Sequence, residues 1–287
     1  MMPILYSVKI FASLIRATLS LFVTFSALST YLYFKHVIGS ETIFLCAGVF
    51  LLAAAASAFN QIQERQCDGL MERTRNRPLP AGRLDTWQAV MFSIVSGSLG
   101  LGMLLWGANP FAATLGAIAV FVYNGIYTPL KKKTSLALFP GAIAGALPVL
   151  IGCAAAVGRI DTRAVCIALF VFSWQMPHFL LLLYQYKEDY RRAGISMLLS
   201  NVTSQQLKII ICIWTLAASG VTTLFPIMDI IRSTTPLAII AVLNIYFISE
   251  VYRSLRRKVD VFSTRVLYIY QVVVFAVLII QGVLTEC

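Results

Sequence analysis

The sequence predicts an all-α membrane protein with nine transmembrane helices, on three observations. Of its 287 residues 59% are hydrophobic and 12% charged, with a mean hydropathy of +0.81, too little polar surface to coat a water-soluble core. Apolar runs long enough to cross about 30 Å of hydrocarbon recur along the whole chain. The basic residues lie between those runs and favour one side.

Taken in order, the spans are read at 14–34, 42–59, 87–107, 111–128, 136–157, 162–184, 206–226, 235–252 and 266–283. The first run has the length of a full span and no clear cleavage site, so it is expected to stay as the first helix rather than leave as a signal peptide. When the connections are assigned alternately, Lys35, Arg159, Arg163 and Arg232 share one side and the other 19 of the 23 Lys and Arg the opposite one. The positive-inside rule then puts the N-terminus in the cytoplasm, and an odd number of spans leaves Cys287 outside. The net charge of +11 is therefore a signal of orientation, and nucleic acid is not an expected partner. Cys46, Cys67, Cys153, Cys166, Cys212 and Cys287 show no CxxC pairing, which argues against a zinc site or a disulfide framework. With no linker or low-complexity tract, the chain reads as a single domain over 1–287.

Both long polar connections, 60–86 and roughly 185–205, fall on the cytoplasmic side, so function is expected there. On a helix, Asn60, Glu64 and Asp68 share a face, because four-residue steps drift by only about 40°. Three oxygen-bearing side chains on one face suit a hard cation such as magnesium, with phosphates completing its shell, and Arg73 and Arg77 just downstream suit an anion. The competing reading is a solvated loop whose acids pair with Arg65 or Arg73. The second connection supplies Glu188 and Asp189 beside Lys187, Arg191 and Arg192. Asp189 is the better placed to share a metal and its diphosphate, and Glu188 reads as an outward charge.

Tyr127 ends the fourth span and is followed by Lys131, Lys132 and Lys133, mobile point charges able to follow a departing phosphate. The positive-inside signal alone accounts for at least one of them. His178 lies inside the sixth span in Trp174-Gln175-Met176-Pro177-His178, where Pro177 is expected to free a carbonyl and bend the helix. A hydrogen-bonded interhelical histidine and a ligand both remain open. If that helix continues, His178 and Asp189 share a face about 16 Å apart. Gly141 and Gly145 read as a seam for close helix packing, and His36 as an interfacial residue.

Together these residues resemble the UbiA superfamily of intramembrane prenyltransferases, whose first signature reads Asn-x3-Asp-x3-Asp followed by Arg-Thr-x-x-Arg-Pro-Leu. Here it stands as Asn60, Glu64 and Asp68, then Arg73-Thr74-Arg75-Asn76-Arg77-Pro78-Leu79. The runs Met71 to Arg77, Gly145 to Gly152, Trp174 to His178 and Asp189 to Leu198 resemble the branch of that superfamily that farnesylates heme. There are departures: Glu64 stands where the family usually has Asp, Gln66 replaces another acid, and Arg16-Ala17 is nearest to a Lys-Pro pair usual before the first span.

The resemblance implies a bundle around a central cavity open to the cytoplasmic side of the cell inner membrane. It implies transfer of the farnesyl group of farnesyl diphosphate to a vinyl group of heme b, with addition of water, giving heme O and diphosphate. It further implies Mg2+ on Asn60, Glu64, Asp68 and Asp189, with Arg73, Arg77, Lys132 and Lys133 neutralising the leaving group. Tyr123, Tyr127 and Trp174 would offer π faces to the allylic cation, and His178 would contact heme. Implied partners are the lipid bilayer and a heme A synthase or terminal oxidase assembly. Two other readings stay open: a prenyltransferase for a quinone precursor or other ring, with His178 structural, and a transporter, whose acids would sit near mid-membrane.

Overall fold

The computed structural model describes residues 2–194, 202–256 and 264–284, and these form helices and turns with no strand among them. Ile195 to Leu198 of the last motif, together with Arg257, Lys258 and Cys287, lie outside the described residues. The order is α1 (Met2–Leu14), α2 (Ala17–Lys35), α3 (Ser40–Leu70), α4 (Thr86–Gly107), α5 (Pro110–Val120), a π-helical segment (Phe121–Tyr127) and α6 (Thr128–Leu130). After a 3-10 turn at Ser135–Ala137 come α7 (Leu138–Val157), α8 (Thr162–Gln185), α9 (Lys187–Arg192), α10 (Ser204–Thr223), α11 (Thr234–Arg256) and α12 (Thr264–Leu284). Nine helices among the described residues are long and apolar enough to cross a membrane, with α5, the π segment and α6 forming one continuous crossing. The nine predicted spans are all found, so this is a multi-span membrane protein.

Two boundaries and one condition of continuity differ from the sequence reading, each for a local reason. The first span was expected from residue 14, but the helix breaks at Arg16, whose φ of 46° lies in the left-handed region. That conformation costs a non-glycine residue about 1–2 kcal/mol, and it sets α1 apart from α2. The second helix was expected to end at 59, yet α3 runs 31 residues to Leu70, about 46 Å at 1.5 Å per residue. Its last turns therefore extend beyond a hydrocarbon core of about 30 Å and carry Asn60, Glu64 and Asp68 as helix. The sixth span stops at Gln185, and Tyr186 (φ −112°, ψ 29°) separates it from α9, so His178 and Asp189 do not share one continuous helix. Pro177 is accommodated within α8, which is helical on both sides of it.

Short turns at the end of the bundle away from these motifs are closed by local caps. Asn109 accepts from Ala112 N at 2.8 Å and donates to the Ala154 carbonyl at 2.7 Å, with Pro110 opening α5. Asp161 caps α8 by accepting from Arg163 N at 2.8 Å, and Gly158 ends α7 at φ +71°, which favours glycine. His36 Nδ1 lies 2.8 Å from the Gly282 carbonyl, tying α12 to the end of α2.

Close helix approach is real, but at different glycines from those the sequence suggested. A Cβ on Gly100 would meet the Gly48 carbonyl at 2.9 Å, so α3 and α4 pack backbone against backbone there, and a Cβ on Gly152 in α7 would overlap the Ala27 carbonyl of α2. Gly141 and Gly145 instead make room for side chains, Tyr127 and Phe179 at the first and Gln175 at the second. One apolar cluster joins α2, α3, α4, α5 and α7, and a larger one runs through α7, α8 and α10 to α12.

Candidate active site

The polar stripe of α3 is buried: Asn60, Glu64 and Asp68 are 0%, 4% and 1% exposed. That burial excludes a solvated loop, and each side chain meets a cation from another part of the chain. Arg16, at the break between α1 and α2, donates from Nη2 to Asn60 Oδ1 at 2.7 Å and from Nη1 to Tyr123 Oη at 3.2 Å. The Asn60 amide nitrogen donates to Thr128 Oγ1 at 3.0 Å. Lys131 Nζ lies 2.6 Å from Glu64 Oε1. Arg77 Nη1 donates to both oxygens of Asp68, at 2.8 and 2.7 Å.

The turn after α3 folds back so that Arg77 can reach Asp68. The Thr74 hydroxyl donates to the Asp68 carbonyl at 2.9 Å, and the amides of Thr74 and Arg75 donate to Met71 O. The second polar segment pins the same turn. Asp189, 8% exposed, accepts from the backbone amides of Glu72 and Arg73, both at 3.1 Å. The two acidic segments thus meet, with Asp189 spending its oxygens on the turn that carries Arg73 and Arg77. Glu188 points outward and pairs with Arg191 at 2.9 Å.

Glu64 and Asp68 with their cations line the mouth of a cavity of about 380 Å³ walled by α2, α3, α5, the π segment, α7, α8 and α12, while Asn60, 0% exposed, and Asp189 stand behind that lining. Arg16, Arg73, Arg77 and Lys131 face it together with Glu64 and Asp68, a surplus of two positive charges that favours an anion. Burial, and next the charge on Arg16, hold the Arg77 guanidinium below its ordinary range, with Asp68 pulling the other way. Burial also works against Arg16, but Tyr123, Glu64 and Asp68 outweigh it and keep its pKa above the ordinary value. A bound anion would relieve the repulsion between these two guanidinium groups.

Below the mouth the lining turns apolar, with Leu19, Val23, Leu52, Val120, Pro148 and Ile151 among its residues. The π-helical segment, a feature that often marks functional sites, sets Tyr123 and Tyr127 side by side with ring centroids 5.5 Å apart. Tyr127 also stacks on Phe179 at 5.9 Å, and Lys131 Nζ lies 4.9 Å from the Tyr127 ring. Deeper on α8, His178 lines the cavity and stacks on Trp174, centroids 5.3 Å apart and 8° between planes. Trp174 is itself behind the wall, 2% exposed, with its indole N–H donating to the Leu267 carbonyl at 2.7 Å.

Of the three lysines, the one at the site is Lys131. Lys132 reaches away to the Gln63 carbonyl at 2.9 Å, and both it and Lys133 are exposed. The four-residue step from Tyr127 to Lys131 matches the helical repeat, but it did not by itself single out Lys131 from its two neighbours. Sequence reasoning also passed over Arg16, Gln175, Tyr190 and Tyr268 as cavity residues. For Arg16 a clue existed, since a charge where a span was expected to begin is costly unless it has a partner.

As a metal site, Asn60, Glu64 and Asp68 present oxygen donors only, the set that magnesium prefers. Among the described residues no three His, Cys, Asp or Glu side chains group closely enough to hold a metal ion by themselves. The fit therefore needs oxygens from a substrate, as a diphosphate provides.

The UbiA prenyltransferase family profile matches residues 11–279. A protoheme IX farnesyltransferase of Christiangramia forsetii is 39% identical over 215 residues, covering 73% of this chain and 71% of the relative. One from Geobacter sulfurreducens is 48% identical over 153 residues, 53% of this chain and 56% of the relative. Among solved structures, a digeranylgeranylglyceryl phosphate synthase superposes with a TM-score of 0.77 at 20% identity, covering 96% of this chain and 98% of that one. A UbiA homolog from Archaeoglobus fulgidus bound to DMAPP and Mg2+ gives 0.73 at 13% identity, covering 95% and 97%. These two likenesses establish the shared fold.

Proposed function

The chain belongs to the UbiA prenyltransferase family, and from that premise we propose how its cavity carries out the reaction. It is a prenyl transferase that moves the farnesyl group of farnesyl diphosphate to a vinyl group of protoheme IX (heme b), with addition of water, giving heme O and diphosphate. The observation that carries the site assignment is the meeting of Glu64, Asp68, Arg73, Arg77, Lys131 and Arg16 at the mouth of one apolar chamber.

Asn60, Glu64 and Asp68 would hold magnesium against the diphosphate, a reading supported by the Mg2+ and DMAPP bound to the Archaeoglobus relative. When bound, magnesium polarises the diphosphate oxygens as a Lewis acid. Arg16, which hydrogen-bonds Asn60, and Lys131 and Arg77, which pair with Glu64 and Asp68, would be free to turn to the phosphate oxygens once those three side chains hold the metal. Arg73, whose guanidinium lies 4.7 Å from the Tyr186 ring, completes the cationic rim. These charges, fixed before the reaction, stabilise the negative charge that grows on the leaving group as the carbon–oxygen bond breaks. Asp189 positions the rim by holding the amides of Glu72 and Arg73. To serve also as a fourth metal ligand it would use the lone pairs that those two amides leave free. Lys132 and Lys133 contribute long-range positive potential.

In the chamber, Tyr123 and Tyr127 present ring faces to the allylic cation, and the apolar walls keep bulk water from quenching it. His178 faces the acceptor, and Trp174 supports it by stacking. We place the protein in the cell inner membrane with its N-terminus and the cavity mouth cytoplasmic and its C-terminus outside, as the basic residues indicate. A heme A synthase or terminal oxidase assembly would consume the product. The acids gather at one end of the bundle, which disfavours a transport path through mid-membrane.

The test is product analysis. Membranes given heme b, farnesyl diphosphate and magnesium should form a more hydrophobic heme separable by chromatography. Prenylation of a benzoate in place of heme would establish the quinone-precursor reading instead.

A further inference from the structure

Halfway along α8 the cavity wall carries polar groups with nothing to bond. His178 is 9% exposed, and its Nδ1 has no hydrogen-bond partner. Its Nε2 lies 3.4 Å from Tyr268 Oη. Trp174 stacked on one side and the Tyr268 ring edge-on at 5.2 Å hold the imidazole in place. When Nε2 carries the proton and shares it with Tyr268, Nδ1 presents a bare lone pair.

Gln175, three residues earlier and so on the same face of α8, also lines the cavity. Its side chain makes no hydrogen bond among the described residues. The amide lies over Gly145 of α7, where a Cβ would overlap it, so the glycine in the facing helix makes room for this polar head. A buried polar atom left unpaired costs about 1–3 kcal/mol, which applies to His178 Nδ1, and the half-buried Gln175 amide lines the same cavity three residues away.

The reactants narrow what can satisfy both groups. The farnesyl chain and the porphyrin vinyl group offer no hydrogen bonds, the diphosphate belongs with the cations at the mouth, and the heme propionates, which accept but do not donate when ionised, would leave Nδ1 open. Iron is a poor match, because the open nitrogen is Nδ1, hindered by its own Cβ, while the less hindered Nε2 faces Tyr268. Water matches, since it donates to Nδ1, accepts from or donates to the Gln175 amide, and is held well by two to four polar partners. The reaction also requires one water inside a chamber that otherwise excludes it.

We propose that Gln175 and His178 hold the water that adds to the prenylated side chain of heme, with His178 Nδ1 accepting its proton. This rests on the heme-farnesylating reading above. The vinyl π pair forms the carbon–carbon bond to farnesyl C1 as the carbon–oxygen bond to diphosphate breaks with its pair, leaving a cation on the inner vinyl carbon. The water oxygen forms a bond to that carbon and gives one proton to Nδ1. The proton departs with the released diphosphate, and nothing is oxidised or reduced. Tyr268 is a positioning residue that fixes the tautomer.

Without the held water, the same cation is quenched by loss of a proton from the neighbouring carbon, giving an alkene lighter than heme O by one water. The experiment incubates membranes bearing wild type, His178→Ala and Gln175→Leu with heme b, farnesyl diphosphate and magnesium in isotopically labelled water, with mass spectrometry of all hemes. Wild type should give labelled heme O. His178→Ala should still prenylate heme but shift the ratio of hydroxylated to dehydrated product by roughly 10²-fold, with added imidazole restoring it, and Gln175→Leu should shift it in the same direction.

Wild-type product ratios in both variants would overturn the proposal. So would loss of every prenylated heme in His178→Ala combined with an unchanged ratio in Gln175→Leu, the result expected if the imidazole ligates iron. Failure of wild type to prenylate heme at all would bring down the underlying reading, a result distinct from either of these.

Discussion

The Asn244 cluster between α10, α11 and α12 and the His178 cluster between α8 and α12 are both buried polar groups inside spans, and they differ in how completely their hydrogen bonds are closed. Asn244 Oδ1 accepts from Tyr270 Oη at 2.6 Å, from Ser219 Oγ at 2.8 Å and from Thr222 Oγ1 at 3.1 Å, and Thr222 and Tyr270 meet each other at 3.0 Å. His178 keeps an open nitrogen, on a cavity wall that Gln175 also lines. Saturating that carbonyl oxygen with hydroxyls from two neighbouring helices adds stability and fixes which helices pair. The open nitrogen of His178 costs stability, which the water proposed to bind it would offset. The α3 stripe is a third arrangement, in which each oxygen-bearing side chain meets a cation that, in the proposed mechanism, exchanges for substrate.

The contrast can be broken most forcefully at the stripe. Asp68→Asn should lower turnover by at least about 10²-fold, the scale of losing one preorganised electrostatic contact, while the detergent-solubilised protein keeps its size-exclusion profile. Turnover near wild type would remove Asp68 from the metal site. Next in size, Lys131→Ala should cost roughly 10²-fold in turnover, whereas Lys133→Ala, on an exposed side chain, should stay within about threefold. The reverse order, measured by the heme product assay, would return the phosphate contact to the outer lysines. Smallest in function is Asn244→Leu, which should leave turnover per folded molecule unchanged and lower stability by about 0.6–1.7 kcal/mol, the range for interhelical hydrogen bonds. Thermal unfolding in detergent reads it, and lost activity at full stability would mean that this network also serves the reaction.

Much of the site could be read from spacing alone. The steps from Asn60 to Glu64 to Asp68 put three oxygens on one face because they match the helical repeat, and the same repeat joins Tyr127 to Lys131. What spacing could not supply was the depth of each residue. Lys131, Lys132 and Lys133 are chemically identical, and only the path of the π-helical segment and the turn after it sends the first inward and the other two out. Asp189 was legible as an acid near the site. That it would be spent on the amides of Glu72 and Arg73 depends on two connections, more than a hundred residues apart in sequence, meeting at one end of the bundle.

Hydropathy and helical periodicity are properties of contiguous residues, and so the nine crossings, the oxygen-bearing stripe of α3 and the basic bias of one side were written in the chain itself. The pairing of Arg16 with Asn60, the choice of Lys131, the room that Gly145 leaves for Gln175 and the unpartnered nitrogen of His178 were decided only by tertiary structure. Each is a relation between helices distant in sequence, set by how their side chains fill the space between them, and no local pattern encodes that.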